Sequence, residues 1–73
     1  MINAELLESK RRQRGYTLEK MASELGISRT CLWNKIHGET QFYIGEAAKI
    51  KEMLKLSKHE TFNIFFATKV HSQ

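Results

Sequence analysis

Apolar positions along this chain recur three and four residues apart in short stretches, separated by polar or glycine-bearing breaks. That spacing is the mark of amphipathic helices. Asn3 can cap a first helix over Ala4–Arg14, with Leu6 and Leu7 on its apolar side and Gly15 as its stop. Thr17 caps a second helix, Leu18–Leu25, in which Leu18, Met21, Ala22 and Leu25 face inward. Gly26 supplies the left-handed residue that ends it. Ile27 plugs the angle to a third helix, Arg29–His37, which Ser28 caps and Gly38 closes. Leu32 and Ile36 form the inward stripe of this helix, with Cys31 at its margin. Arg29, Thr30, Trp33, Asn34 and His37 fall on the opposite side.

The second half of the chain repeats the pattern. A loop, Glu39–Tyr43, places Phe42 as a hydrophobic staple before a fourth helix, Ile44–Leu54. Its expected buried side is Ile44, Ala47, Ala48, Ile50, Met53 and Leu54; Glu46, Lys49, Lys51, Glu52 and Lys55 are expected in water. Leu56 bridges to Ser57 and Glu60, an S-x-x-E capping box that starts a fifth helix, Lys58–Phe65. Phe62, Ile64, Phe65 and Phe66 make that helix apolar for its length. Residues 67–73 read as a tail in which Thr68–Val70 suit a short strand. The expected fold is therefore all-α: a compact bundle of about five short helices around the helix-turn-helix pair at 17–38, with residues 1–66 as the domain.

Composition narrows the chemistry. The chain has 73 residues and a net charge of +4, moderately basic and compatible with a polyanionic partner. Cys31 is the sole cysteine, so no intrachain disulfide can form and a reduced, cytoplasmic setting is expected. His37, His59 and His71 stand far apart and no zinc-ligand spacing occurs, so no metal or cofactor is expected. No apolar run approaches the ~20 residues of a membrane span, and no membrane partner is expected. No glycine-rich phosphate loop, G-x-S-x-G or H-E-x-x-H is present, and the carboxylates sit among lysines on helix surfaces. An enzyme is not expected. Lys10, Arg11, Arg12 and Arg14 crowd the end of the first helix, where cations suit the helix dipole or reach a phosphate.

The order Thr17, Ala22, Gly26-Ile27-Ser28, Leu32, Gly38, followed by Phe42-Tyr43-Ile44 and the Ser57–Glu60 box before Phe62, Ile64, Phe65 and Phe66, resembles the phage repressor and Cro-type (XRE-like) helix-turn-helix family over roughly residues 5 to 66. The resemblance implies a bundle of about five helices whose third helix enters the DNA major groove. It also implies a homodimer on operator half-sites, in the cytoplasm and nucleoid of a bacterial host. The matching base-reading positions are Arg29, Thr30, Trp33 and Asn34, and the phosphate-facing ones are Thr17, Ser28, His37, Thr40, Gln41 and Arg11. Dimer candidates are Phe62, Phe65, Phe66 and Val70, of which one or two of the phenylalanines are expected in the core.

Physical fit supports that implication. Nine helical residues span ~13 Å, close to the ~12 Å major groove. Arg29 can donate twice to guanine, Asn34 can pair with adenine, and Thr30 offers a methyl or hydroxyl. The sequence departs from the family at Trp33, which is large for a helix that must fit a groove, and in three further places. Leu18 replaces a common Gln, Glu39 stands where basic residues are usual, and Ile36 replaces an acid that often pairs with the position of Arg11. Arg11 is then expected to use Glu19, Glu46 or a phosphate. The function implied is a sequence-specific transcriptional regulator of phage or prophage origin. The alternative is a module of the same fold that docks through Trp33 on a larger repressor protein, tryptophan and arginine being hot-spot chemistry.

Overall fold

Helix caps divide this chain. In a computed structural model that describes residues 2–66, five helices form: α1 (Ala4–Gln13), α2 (Leu18–Leu25), α3 (Arg29–Ile36), α4 (Ile44–Met53) and α5 (Lys58–Phe65). The Thr68–Val70 strand expected from sequence lies outside the described residues.

Each start except that of α4 is held by a short polar side chain. Asn3 Oδ1 accepts from the Leu6 N–H at 3.1 Å, Thr17 Oγ1 from Lys20 at 3.0 Å and Ser28 Oγ from Cys31 at 3.0 Å. Ser57 Oγ accepts from Glu60 N–H at 3.0 Å, while Glu60 Oε1 accepts from Ser57 N–H at 2.9 Å, completing the reciprocal box read from sequence. At α4 the cap residue is Tyr43, and Glu46 Oε1 accepts its N–H at 2.9 Å.

Four helix ends close alike. A left-handed residue turns the chain, and the next N–H reaches back to a carbonyl of the last turn: Tyr16 to Arg11, Ile27 to Ala22, Glu39 to Asn34 and Leu56 to Lys51, at 2.9–3.1 Å. Glycine supplies that residue at 15, 26 and 38, but α4 uses Lys55, at φ 53°. A β-carbon makes this conformation unfavourable, so the packing on either side of Lys55 must hold it.

The core gathers the inward stripes. Leu7, Met21, Leu32, Ile36, Ile50, Leu54 and Ile64 are fully buried, joined by Ala22, Leu25, Ala47, Leu56 and Phe65. Leu18, Ile27, Phe42 and Met53 pack on its edge. Phe42 meets Phe65 edge to face, with ring centroids 5.5 Å apart, a contact that ties the loop before α4 to α5. α2 packs on α3, and α5 packs on both α1 and α4. Among the described residues, no helix is long and apolar enough to cross a membrane.

Three expectations for α4 are corrected. Ile44 is 83% exposed; it lies three residues before Ala47, on the correct helical phase, but at the first helical position, where the core no longer reaches it. Ala48 is exposed because it is one residue, about 100°, past the buried stripe of Ala47, Ile50 and Leu54. Glu46, expected in water, is drawn inward by partners described below.

The cations at the end of α1 each have a partner within the molecule. Lys10 Nζ lies 2.6 Å from Glu60 Oε2, tying α1 to α5, and Arg14 Nε donates to the Leu54 carbonyl at 2.8 Å. Arg11 grips Glu8 with two nitrogens, at 2.6 and 3.2 Å, and donates a third to the Tyr16 carbonyl at 2.6 Å. Its acid is thus Glu8, one turn back on the same helix, and not Glu19 or Glu46. Arg12 and Arg14 remain exposed, Arg12 at 3.8 Å from Glu8.

The Lys10 ammonium, and then the Ser57 N–H, hold the Glu60 carboxyl below its ordinary pKa. A carboxyl whose pKa falls on folding favours the native state above the unfolded pKa, and that preference is lost as pH falls through the folded value. Glu60→Gln is therefore expected to lower the melting temperature at pH 7. The gap from the parent should close below about pH 4, as thermal unfolding followed across that range would reveal.

Candidate nucleic-acid interface

α3 carries the site because one of its sides is committed. Leu32, Lys35 and Ile36 are buried against the rest of the bundle, and the helical repeat then turns Arg29, Thr30 and Trp33 outward. All three are exposed. Asn34 is only half-buried and stands at the margin; its backbone carbonyl accepts the Glu39 N–H at 2.9 Å. Cys31 is likewise half-buried. The outward ridge runs Arg29, Trp33, His37, each four residues from the next.

Trp33 does not stand away from the helix. Its ring stacks on the His37 imidazole, with centroids 3.9 Å apart and planes 22° from parallel. His37 Nδ1 lies 2.9 Å from the Trp33 carbonyl, which ties the imidazole to the end of the helix. Together these fix one wide, flat aromatic surface, with Trp33 still 47% exposed.

The phosphate-facing candidates sit around this ridge. Thr17 and Ser28 each use a hydroxyl oxygen to cap a helix, which leaves the hydroxyl proton for a further acceptor. His37, Thr40 and Gln41 are exposed. Arg11 is held by its internal partners on α1 and is not part of the α3 ridge.

Lys35 is the residue that sequence reasoning left unassigned. It is 5% exposed. Its Nζ donates to the Gln41 carbonyl at 2.9 Å and lies 3.2 Å from Glu46 Oε1, with the Tyr43 ring centroid 4.4 Å away. Since Glu46 also accepts the Tyr43 N–H, the two side chains pin the α3–α4 loop at Gln41 and at Tyr43. The signal was available: Lys35 falls three residues after Leu32, on the inward phase of α3.

Of the dimer candidates, Phe65 is buried in the core, whereas Phe62 and Phe66 are exposed with ring centroids 6.3 Å apart. Val70 lies outside the described residues. Phe66 also lines a groove of about 270 Å³ with Ile2, Tyr43 and Ile44, residues that sequence reasoning did not connect with an interface. Among the described residues, no three His, Cys, Asp or Glu side chains gather as a metal ion would require.

Compared with protein-family models, curated proteins and solved structures, the chain finds no match.

The Lys35–Glu46 pair generates a stability test. Lys35→Met leaves an enclosed carboxylate without its cation and is expected to cost roughly 3 kcal/mol. Adding Glu46→Gln should recover much of that loss, because the amide oxygen still accepts from Tyr43 N–H while the unpaired charge is gone. Urea unfolding of both variants measures the difference.

Proposed function

We propose that this protein is a sequence-specific binder of double-stranded DNA, a transcriptional regulator of phage or prophage type working in a bacterial cytoplasm, with α3 in the major groove. The observation that carries the reading is the outward ridge of α3. Arg29 and Thr30 stand exposed in its first turn, beside capped helix starts whose hydroxyls and free N–H groups suit phosphates. The basic balance of the chain and its resemblance to the Cro-type family point the same way.

Each residue has a role in this reading. Arg29 donates to guanine O6 and N7, and Thr30 and Trp33 meet neighbouring base edges. Asn34, at the margin, reaches adenine only if the groove comes close on that side. Thr17, Ser28, His37, Thr40 and Gln41 set register on the backbone. On this reading two copies pair through Phe62 and Phe66, and a dimer bound to successive half-sites should have its α3 helices ~34 Å apart.

A second reading has one observation in its favour. Half-exposed Trp33 beside Arg29 is also the chemistry of a protein–protein hot spot, as in a modulator that docks on a larger repressor.

Selection of a random duplex library on the full-length chain should yield one motif. Arg29→Ala should then weaken binding to it by ~1–3 kcal/mol and relax one base position. Binding should also fall steeply with salt. Failure to enrich any duplex, together with co-purification of a repressor, favours the second reading. Light scattering should find a dimer at high concentration, and Phe62→Ser with Phe66→Ser should leave a monomer; a parent that remains monomeric throughout removes the pairing.

A further inference from the structure

We infer that Trp33 is a specificity-determining residue that reads a thymine, through the C5-methyl group and O4 of that base. The inference rests on the DNA reading above and goes beyond it by naming the base edge that the aromatic surface fits.

Two observations define what the site offers. The Trp33 ring is held flat against His37, 3.9 Å away and 22° from parallel, and His37 is tied to the Trp33 carbonyl. One ring face is covered, and nearly half of the residue remains open to a ligand. The side chain is therefore ordered before anything binds, and little rotamer freedom is left to lose on contact. Folded along α3, the indole also adds less girth to the helix than an extended ring would, which answers the steric objection to a tryptophan in a groove about 12 Å wide.

The chemistry then selects among bases. An indole presents apolar surface and one N–H donor, and it accepts nothing. Cytosine offers the major groove an amino donor, which an indole leaves unsatisfied. Adenine offers such a donor beside its N7 acceptor. Guanine offers two acceptors and no apolar group. Thymine alone combines an apolar group with an acceptor and carries no donor. That pairing also divides labour along the ridge. Arg29, four residues earlier and exposed, has the donors that guanine wants, and Trp33 has the surface that it does not.

The test uses the full-length chain and the duplex motif selected on it. The motif should contain a fixed thymine. Replacing that thymine by uracil, which removes only the methyl group, should weaken binding by the parent roughly fourfold, the value of one buried methyl. Trp33→Phe keeps an apolar ring and should retain that sensitivity. Trp33→Ala should bind thymine and uracil duplexes equally while keeping the parent's circular dichroism and sensitivity to salt. A uracil penalty that persists in Trp33→Ala, or a selected motif without a fixed thymine, overturns the assignment while the DNA reading stands. If no duplex is enriched at all, both fall.

Discussion

The outward ridge of α3 exists because the opposite side of that helix is buried. Leu32 and Ile36 are sealed in the core, and Lys35 is held between them by Glu46 and the Gln41 carbonyl. With one side fixed, the helical repeat leaves no choice about the other: Arg29, Thr30 and Trp33 must face out. The constraint reaches further through Glu46, which also accepts the Tyr43 N–H at the start of α4. The rotation of α3, the path of the loop after it and the start of α4 therefore depend on the same buried group of side chains. An ion pair of this kind is a weak source of net stability but a strong penalty when broken. Its effect here is to hold one arrangement of the loop.

A second feature is how the molecule distributes its cations. The cluster at the end of α1 suggests a basic patch when read as sequence. In the structure Lys10, Arg11 and Arg14 are tethers to Glu60, to Glu8 and the Tyr16 carbonyl, and to the Leu54 carbonyl. The net charge of +4 already counts Glu8 and Glu60, so these pairs leave it unchanged; what they remove is the concentrated basic patch at the end of α1. On the reading proposed here, Thr17, Ser28, Thr40 and Gln41 position the phosphate backbone, and exposed cations such as Arg29 supply the salt-sensitive attraction.

Much of the fold was legible because its signals are local. Asn3, Thr17, Ser28 and Ser57 each cap a helix, and Gly15, Gly26 and Gly38 turn the chain where expected. The order of apolar positions named most of the core, Leu18 and Met53 lying at its edge. Less legible were features that depend on what stands opposite. Ile44 has the right phase but nothing covers it, and Glu46 looks like a surface acid until Lys35 is brought to it across the loop. Arg11 was matched to distant acids when Glu8, one turn away, was within reach. The left-handed residue at Lys55 carries no sequence mark, since it is not a glycine. The outward set on α3 followed from periodicity, but the stack of Trp33 on His37 did not, because i, i+4 spacing permits a contact without choosing it.

The most direct measurement is a map of backbone amide shifts in the full-length protein as duplex DNA carrying its selected motif is added. The account predicts changes concentrated at Thr17, at Ser28–Asn34, and at His37, Thr40 and Gln41, with the buried stripes of α4 and α5 little altered. Shifts confined to Tyr43, Ile44, Phe62 and Phe66, or no shift with any duplex, would contradict it.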